Sequence, residues 1–257
     1  MKAIIVAAGR GRRLGPETAE IPKCMVQVAG RPILHRQLDA LLAAGVTEVV
    51  VVRGYLGDRI DVQGYPVRFI ENPDWANNNI LNSLAFASGE MDQGFVFSYS
   101  DIVFAPAYAR QVVESPGAVA LVIDRLWQQT YVGRVHHPIS EAELASVRRG
   151  ENDAVLVDRV GKTVVPPEAA VGEFIGLAKF STDGAAALKG VWTEAAAAGL
   201  ERPFGRAAHL RQAYLSDALN ALADRGAPLT PVFIDGRWRE IDTEEDLSRA
   251  HLAVTGW

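Results

Sequence analysis

An α/β fold, with a mainly parallel sheet flanked by helices on both faces, is predicted by three features of this 257-residue chain. Short apolar, β-branched runs recur, among them Lys2–Ala8 (KAIIVAA), Glu48–Val52 (EVVVV) and Val119–Ile123 (VALVI). Runs that are apolar throughout read as strands covered on both faces. Segments with apolar residues at helical spacing lie between them, and such crossovers are what parallel strands require. No Pro/Gly/Ser linker and no repeat divides the sequence, so residues 1–257 read as a single domain.

The elements follow in order. Lys2–Ala8 is a buried first strand entering a tight loop at Gly9-Arg10-Gly11. Pro32–Ala44 is a helix with Ile33, Leu34, Leu38, Leu41 and Leu42 on one face, Pro32 at its start and Gly45 at its close. Strands follow at Glu48–Val52 and Val67–Ile70, then a helix over Asn78–Ala87 with Ile80, Leu81, Leu84 and Ala87 inward. Gly94–Ser98 is a strand, Pro106–Glu114 a helix and Val119–Ile123 a strand. From about 126 to 172 the alternation breaks down into polar sequence, read as an inserted or edge lobe with short strands at Tyr131–Val135 and Ala154–Val157. Alternation returns with a strand at Glu173–Phe180 and helices at Gly184–Trp192 and Leu215–Arg225. A last strand at Leu229–Ile234, followed by the segment Trp238–Asp242 and a helix near Glu244–Val254, closes the chain.

Composition excludes several classes. The formal charge is −5 from 26 Lys+Arg against 31 Asp+Glu, which lacks the basic footprint of a nucleic-acid binder. No apolar run approaches the roughly 18 residues of a membrane helix. The apolar start is broken at once by Arg10, Arg12 and Arg13, where a secretion signal would continue. The single cysteine, Cys24, can form no intramolecular disulfide, which fits a cytoplasmic setting. The sequence leaves a homodimer open.

The most informative segment is Ala7-Ala8-Gly9-Arg10-Gly11-Arg12-Arg13-Leu14-Gly15-Pro16, followed by Pro22-Lys23. Glycines let the backbone approach a ligand and present its N–H groups, and a basic loop after a first parallel strand is a place for phosphates. It is not a dinucleotide fingerprint, because Leu14 stands where the third glycine belongs. Nor is it a Walker A loop, because Lys23 lies between Pro22 and Cys24.

The stretch AAGRGRRLGPETAEIPKCM resembles the signature of the sugar-nucleotidyltransferase superfamily: a GxGxR-L loop, then Pro-Lys with the lysine ten residues after the arginine. The resemblance implies a Rossmann-like sheet of the nucleotide-diphospho-sugar transferase type and a loop around a nucleotide triphosphate. Ala7, Ala8, Gly9, Arg10 and Gly11 would bind the nucleotide, and Arg13 and Lys23 would be the catalytic basic pair. Glu71-Asn72-Pro73-x-Trp75, with Asn79 and Ser83 four apart on one helix face, resembles the choline-phosphate cytidylyltransferase branch and implies nucleoside contacts. Asp101, at the end of Ser98-Tyr99-Ser100-Asp101, and Asp242, in Glu240-Ile241-Asp242-Thr243, match the metal-ligand positions and imply Mg²⁺. The role of Glu240 stays open.

The middle of the chain resembles cytidylyltransferases of phosphonate metabolism, some of which serve natural-product pathways, through Asp124-x-x-Trp127, Arg134, His137-Pro138, Glu141-Ala142-Glu143 and Gly172–Leu177. Arg134, Glu173 and Arg239 are candidate acceptor contacts. His136 and His137 lack metal spacing and read as surface or capping residues. Trp127, Tyr131, Phe174 and Trp238 could cage a choline. Arg125, Arg134, Arg211 and Arg239 suit an anionic acceptor and tip the reading towards a phosphonate or a carboxylated phosphonate. The partners so implied are CTP and a small phosphonate or phosphate (phosphonoformate, 2-aminoethylphosphonate or 2-hydroxyethylphosphonate type). The alternatives are a phosphocholine or sugar-phosphate nucleotidyltransferase and a non-catalytic nucleotide-binding regulatory domain.

Overall fold

The computed structural model describes residues 1–257. Strand β1 (Lys2–Ala7) leads through the loop and a small β2–β3 pair (Gln27–Val28, Arg31–Pro32) into helix α1 (Ile33–Ala43). Then come β4 (Glu48–Arg53), β5 (Val67–Glu71), α2 (Ile80–Ala85), β6 (Phe95–Tyr99), β7 (Ile102–Phe104), α3 (Pro106–Glu114) and β8 (Val119–Asp124). The polar middle holds α4 (Trp127–Tyr131), β9 (Glu143–Arg149) and β10 (Val155–Lys162). The chain ends with β11 (Gly172–Phe180), α5 (Thr182–Ala198), α6 (Leu215–Asp224), β12 (Leu229–Ile234), β13 (Trp238–Glu240) and α7 (Glu244–Ala253).

The main sheet runs β5-β4-β1-β6-β11, with β8 and then β12 beyond β11. Six of these strands point the same way, and β11 runs against its neighbours β6 and β8. The sheet is therefore mixed and mostly parallel. Alternate residues of β1 enter different cores: Ile4 and Val6 lie on one face, Ala3, Ile5 and Ala7 on the other. That two-sided burial is why the strand is apolar without interruption. No helix is long and apolar enough to cross a membrane.

The β9–β10 hairpin decides where the site lies. It joins β11 at Gly172 and Glu173, beyond the end of β6. It thus stands over the carboxyl ends of β1 and β6, where open α/β sheets bind ligands. Gly176 makes the bend in β11 between the two pairings, at φ +81°. A side chain there would meet the Tyr99 ring at 2.1–2.9 Å.

The predicted strand at Tyr131–Val135 is not formed. Trp127–Tyr131 is helical, Gly133 turns the chain at φ +68°, and Val132 and Val135 face outward, 74% and 76% exposed. Strand β9 was not anticipated, since its half-covered ELASVRR lacks an apolar run. Helix α2 is shorter than expected, capped at Asn79, and α5 is longer, capped at Ser181.

Candidate active site

The loop after β1 is set by local chemistry. Gly11 takes φ +66° and lies against the methylenes of Lys23, which a Cβ would approach within 2.9–3.1 Å. Thr18 Oγ1 donates to the Gly11 carbonyl at 3.0 Å, and buried Leu14 pins the following turn. Gly9, Gly11, Arg12, Arg13 and Lys23 line one cleft of about 350 Å³ with Trp75, Asn79 and Ser83. Ala7 and Ala8 are buried beneath it, and Arg10 stacks over Tyr55 at 5.2 Å.

Two aspartates far apart in sequence meet beside this loop. Asp101 sits in the turn between β6 and β7, held by the buried Gln37 amide, which donates to the Tyr99 and Ile102 carbonyls at 2.8 and 2.6 Å. Antiparallel pairing of β13 with β7 brings Glu240 opposite Ile102, and the Ile241 N–H donates to the Asp101 carbonyl at 2.8 Å. Asp242 therefore stands next to Asp101. Lys23 Nζ lies between them, donating to Asp101 Oδ2 at 2.7 Å and to Asp242 Oδ1. Arg13 donates to Asp242 Oδ2 at 2.5 Å. Burial works against the Lys23 ammonium, but the two carboxylates outweigh it and hold its pKa above the usual lysine value. Asp242 is likewise held below the ordinary carboxylate range: burial opposes its charge, and Lys23 and Arg13 more than compensate.

Asp101 Oδ1 is buried without a hydrogen-bond partner. Two adjacent hard carboxylates, one with an unsatisfied oxygen aimed inward, fit a divalent cation such as Mg²⁺.

The wall of the cleft formed by Asn78, Asn79 and Ser83 is backed by an amide network. Asn72 Nδ2 donates to Ser83 Oγ and to Asn78 Oδ1, both at 2.9 Å. Ser83 lines the cleft, its hydroxyl accepting from Asn72 and donating to Asn78 Oδ1 at 3.2 Å. Asn79 lines the cleft, yet its side chain is committed to structure: Oδ1 accepts from Ile80 N–H at 2.8 Å and Nδ2 donates to the Gln212 carbonyl at 3.2 Å. Asn72 and Asn78 complete the network, and no spacing rule pointed to Asn78.

A second cavity of about 250 Å³ adjoins the cleft across Arg13, Asp101 and Asp242. Glu141, Glu143, Glu173 and Glu240 line it with Tyr99, Phe174, Tyr214 and Trp238. Burial pushes the Glu143 carboxyl up to about 7 and that of Glu173 up to about 8. Glu240 is raised as well, by burial and by the charges of Asp242 and Asp101. Tyr99 donates to Glu143 Oε1 at 3.2 Å and Tyr131 to Glu173 Oε1 at 2.7 Å, while Glu173 Oε2 has no partner.

Of the three candidate acceptor contacts, only Glu173 lines this cavity. Arg134 is tied to Asp246 through Nε at 2.6 Å, with its side chain 3% exposed. Arg239 faces away, donating to the Trp238 carbonyl at 2.5 Å and lying 6.0 Å from the Trp257 ring centroid. Arg125 pairs with Asp235, and Arg211 with Asp74 and Glu201. Three of the four arginines expected to receive an anion are thus engaged by acids, and Arg239 lies outside the cavity. Of the four aromatic candidates, Phe174 and Trp238 line the cavity. Trp127 packs in a separate small core, and Tyr131 stands behind Glu173.

His137 is not a surface residue. It is completely buried, with Nε2 3.3 Å from Glu240 Oε2 and Nδ1 2.8 Å from Arg134 NH2. Nδ1 also lies 3.3 Å from Asp246 Oδ2, and Nε2 is buried without a hydrogen-bond partner.

A family model for the MobA-like NTP transferase domain matches residues 3–227. The chain is 29% identical to CTP:phosphoglutamine cytidylyltransferase of Campylobacter jejuni, covering 96% of this chain and 98% of that protein. It is 35% identical to CMP-5'-(3-aminopropyl)phosphonate synthase of Streptomyces rubellomurinus, over 62% of this chain and 24% of the relative. The solved structure of CTP:phosphocholine cytidylyltransferase from Streptococcus pneumoniae superposes with a TM-score of 0.71 at 19% identity, covering 98% of this chain and 97% of that one. With a basic glycine loop, a lysine and two facing aspartates at the carboxyl ends of a mostly parallel sheet, the chain belongs to the MobA-like NTP transferase family, in its cytidylyltransferase branch.

Proposed function

We propose that this enzyme transfers CMP from CTP to a small phosphonate or phosphate that carries an ammonium group, releasing pyrophosphate, with Mg²⁺ held by Asp101 and Asp242. The acceptor reading rests on one observation: the cavity beside the phosphate loop is lined by Glu143, Glu173 and Glu240, whose charges burial disfavours, while its two cations, Lys162 and Arg13, are paired with Glu141 and Asp242. A ligand ammonium would supply the missing charge, and the aromatic walls suit its alkyl chain. A carboxylate in the same place would be repelled, which disfavours a phosphonoformate-type acceptor. The relatives named for aminopropylphosphonate and phosphocholine act on compounds of the favoured kind.

The chemistry follows from charge. A phosphonate oxygen, already anionic near neutral pH, attacks the α-phosphorus. The bond from that phosphorus to the bridging oxygen of the β-phosphate breaks, and pyrophosphate leaves with the electron pair. No general base is needed, and positioning and electrostatics carry the reaction. Mg²⁺, when bound, screens the two anions from each other. Lys23 lines the cleft, placed for charge developing on the α-phosphoryl oxygens. Arg13 lines both hollows and, with the Gly9 and Gly11 amides, holds the leaving phosphates.

Pyrophosphate release tests this, crossing four nucleoside triphosphates with 2-aminoethylphosphonate, phosphocholine, 2-hydroxyethylphosphonate, phosphonoformate and hexose 1-phosphates. CTP with an ammonium-bearing acceptor is the expected pair. A preference for phosphonoformate or a hexose phosphate overturns the acceptor reading.

Glu173→Gln links stability to this site. Since the folded carboxyl is raised to about 8, the folded state keeps a proton that the unfolded chain gives up near pH 4.3, and wild-type stability falls as pH rises between those values. The variant should raise Tm by roughly 2–6 °C at pH 9, and by progressively less towards pH 5. It should also raise the KM of an aminated acceptor about tenfold or more. Thermal melts and initial rates check both.

A further inference from the structure

The polar middle segment puts no polar side chain of its own into the acceptor cavity between Trp127 and His137, yet it touches the acids that line it. The Tyr131 hydroxyl donates to Glu173 Oε1 at 2.7 Å. His137 Nε2 packs 3.3 Å from Glu240 Oε2, and its Nδ1 is held by Arg134 NH2 at 2.8 Å and Asp246 Oδ2 at 3.3 Å. Arg134 is in turn fixed on Asp246, in the first turn of α7. The same turn grips the segment through Glu245, which accepts from the Val135 and His136 N–H groups at 2.9 and 2.8 Å. Arg249, one turn on, donates to the Thr130 and Val132 carbonyls at 3.0 and 2.9 Å. The segment is thus clamped to α7, with two polar tips pointing at two cavity carboxylates.

We propose that Tyr131 and His137 are positioning residues for acceptor selection: each holds one carboxylate, Glu173 or Glu240, in the orientation that receives the acceptor's ammonium group. This rests on the acceptor reading above. A glutamate free to change rotamer loses entropy when it binds a ligand, whereas one fixed by its neighbours has already lost it. The device also accounts for the buried histidine and the half-buried tyrosine, neither of which lines the phosphate-loop cleft. It assigns specificity to residues behind the cavity wall, while Lys23, Asp101 and Asp242 handle the nucleotide.

The test uses Tyr131→Phe, His137→Leu and His137→Gln in the full chain. For each, kcat/KM is measured with 2-aminoethylphosphonate and with 2-hydroxyethylphosphonate, and CTP affinity is measured by calorimetry. Tyr131→Phe and His137→Leu should each cut the preference for the ammonium acceptor about tenfold, through its KM. The Kd for CTP should stay within about twofold. His137→Gln, whose polar amide can reach the same carboxylate, should keep most of the preference. Tyr131→Phe removes one oxygen and keeps the ring, so it remains informative if the histidine variants do not fold. An unchanged preference in Tyr131→Phe, or a CTP Kd that rises in step with the acceptor KM, overturns the proposal. A wild-type enzyme that does not prefer the ammonium acceptor overturns the acceptor reading and this inference with it. Preference in the wild type with no change in the variants overturns this inference alone.

Discussion

Lys23→Met should lower kcat about 10³-fold, the range seen when a single transition-state donor is removed. The ammonium has no substitute at its position. It is buried, contacts both aspartates and lines the cleft. Methionine keeps the aliphatic stem against Gly11, so the loop retains its packing. The loss of charge leaves Asp101 and Asp242 facing each other without their lysine, and breaking a buried pair from one side destabilises by about 3–5 kcal/mol. A fall in Tm is therefore expected along with the loss of rate. Mg²⁺ should restore more of that Tm in the variant than it adds to the wild type, because the cation takes over both carboxylates. Lys23→Gln serves as the check if the methionine variant does not fold. A folded variant with kcat within tenfold of wild type would show that the ammonium has no role in the reaction.

What could be read from the sequence was local. The phosphate loop is contiguous, and its glycines and basic residues announce themselves by spacing. Asp101 and Asp242 could each be found at a strand end, but their meeting depends on β13 pairing with β7 across most of the chain. The failures have the same origin. His137 was judged by its neighbours in sequence, whereas its partners are Arg134, Glu240 and Asp246, two of them brought in by the C-terminal strand and helix. The arginines looked available for an anionic acceptor because a sequence shows charges but not their partners. In the fold, Arg125, Arg134 and Arg211 each face an acid. Four glutamates converging on one cavity come from β9, β11, β13 and the turn before β9. That convergence is what moves the proposed acceptor group from anion to cation.

Asp242→Asn should be the most damaging isosteric change in the protein, lowering kcat/KM by about 10³-fold or more. The reason is that its carboxylate does two jobs with two oxygens. Oδ1 meets Lys23 on the side of Asp101, and Oδ2 meets Arg13 on the side of the loop. An asparagine presents an NH₂ to one of those cations, repelling it, and offers a single weak ligand to a divalent ion. Asp101→Asn should be milder, since Asp101 contacts Lys23 but not Arg13 and its side chain is more exposed, 24% against 9%. The backbone around Asp242 should hold in the variant, because its N–H is bonded to Asp246 Oδ2 at 3.2 Å independently of the side chain. The measurement is a Mg²⁺ titration of rate for wild type and both variants, with CTP affinity determined separately by calorimetry. The expected pattern is a raised Mg²⁺ requirement in both variants, steeper for Asp242→Asn, with CTP still bound. If Asp242→Asn saturates with Mg²⁺ at the wild-type concentration, the cation is not held there, and the paired aspartates serve only to orient Lys23 and Arg13.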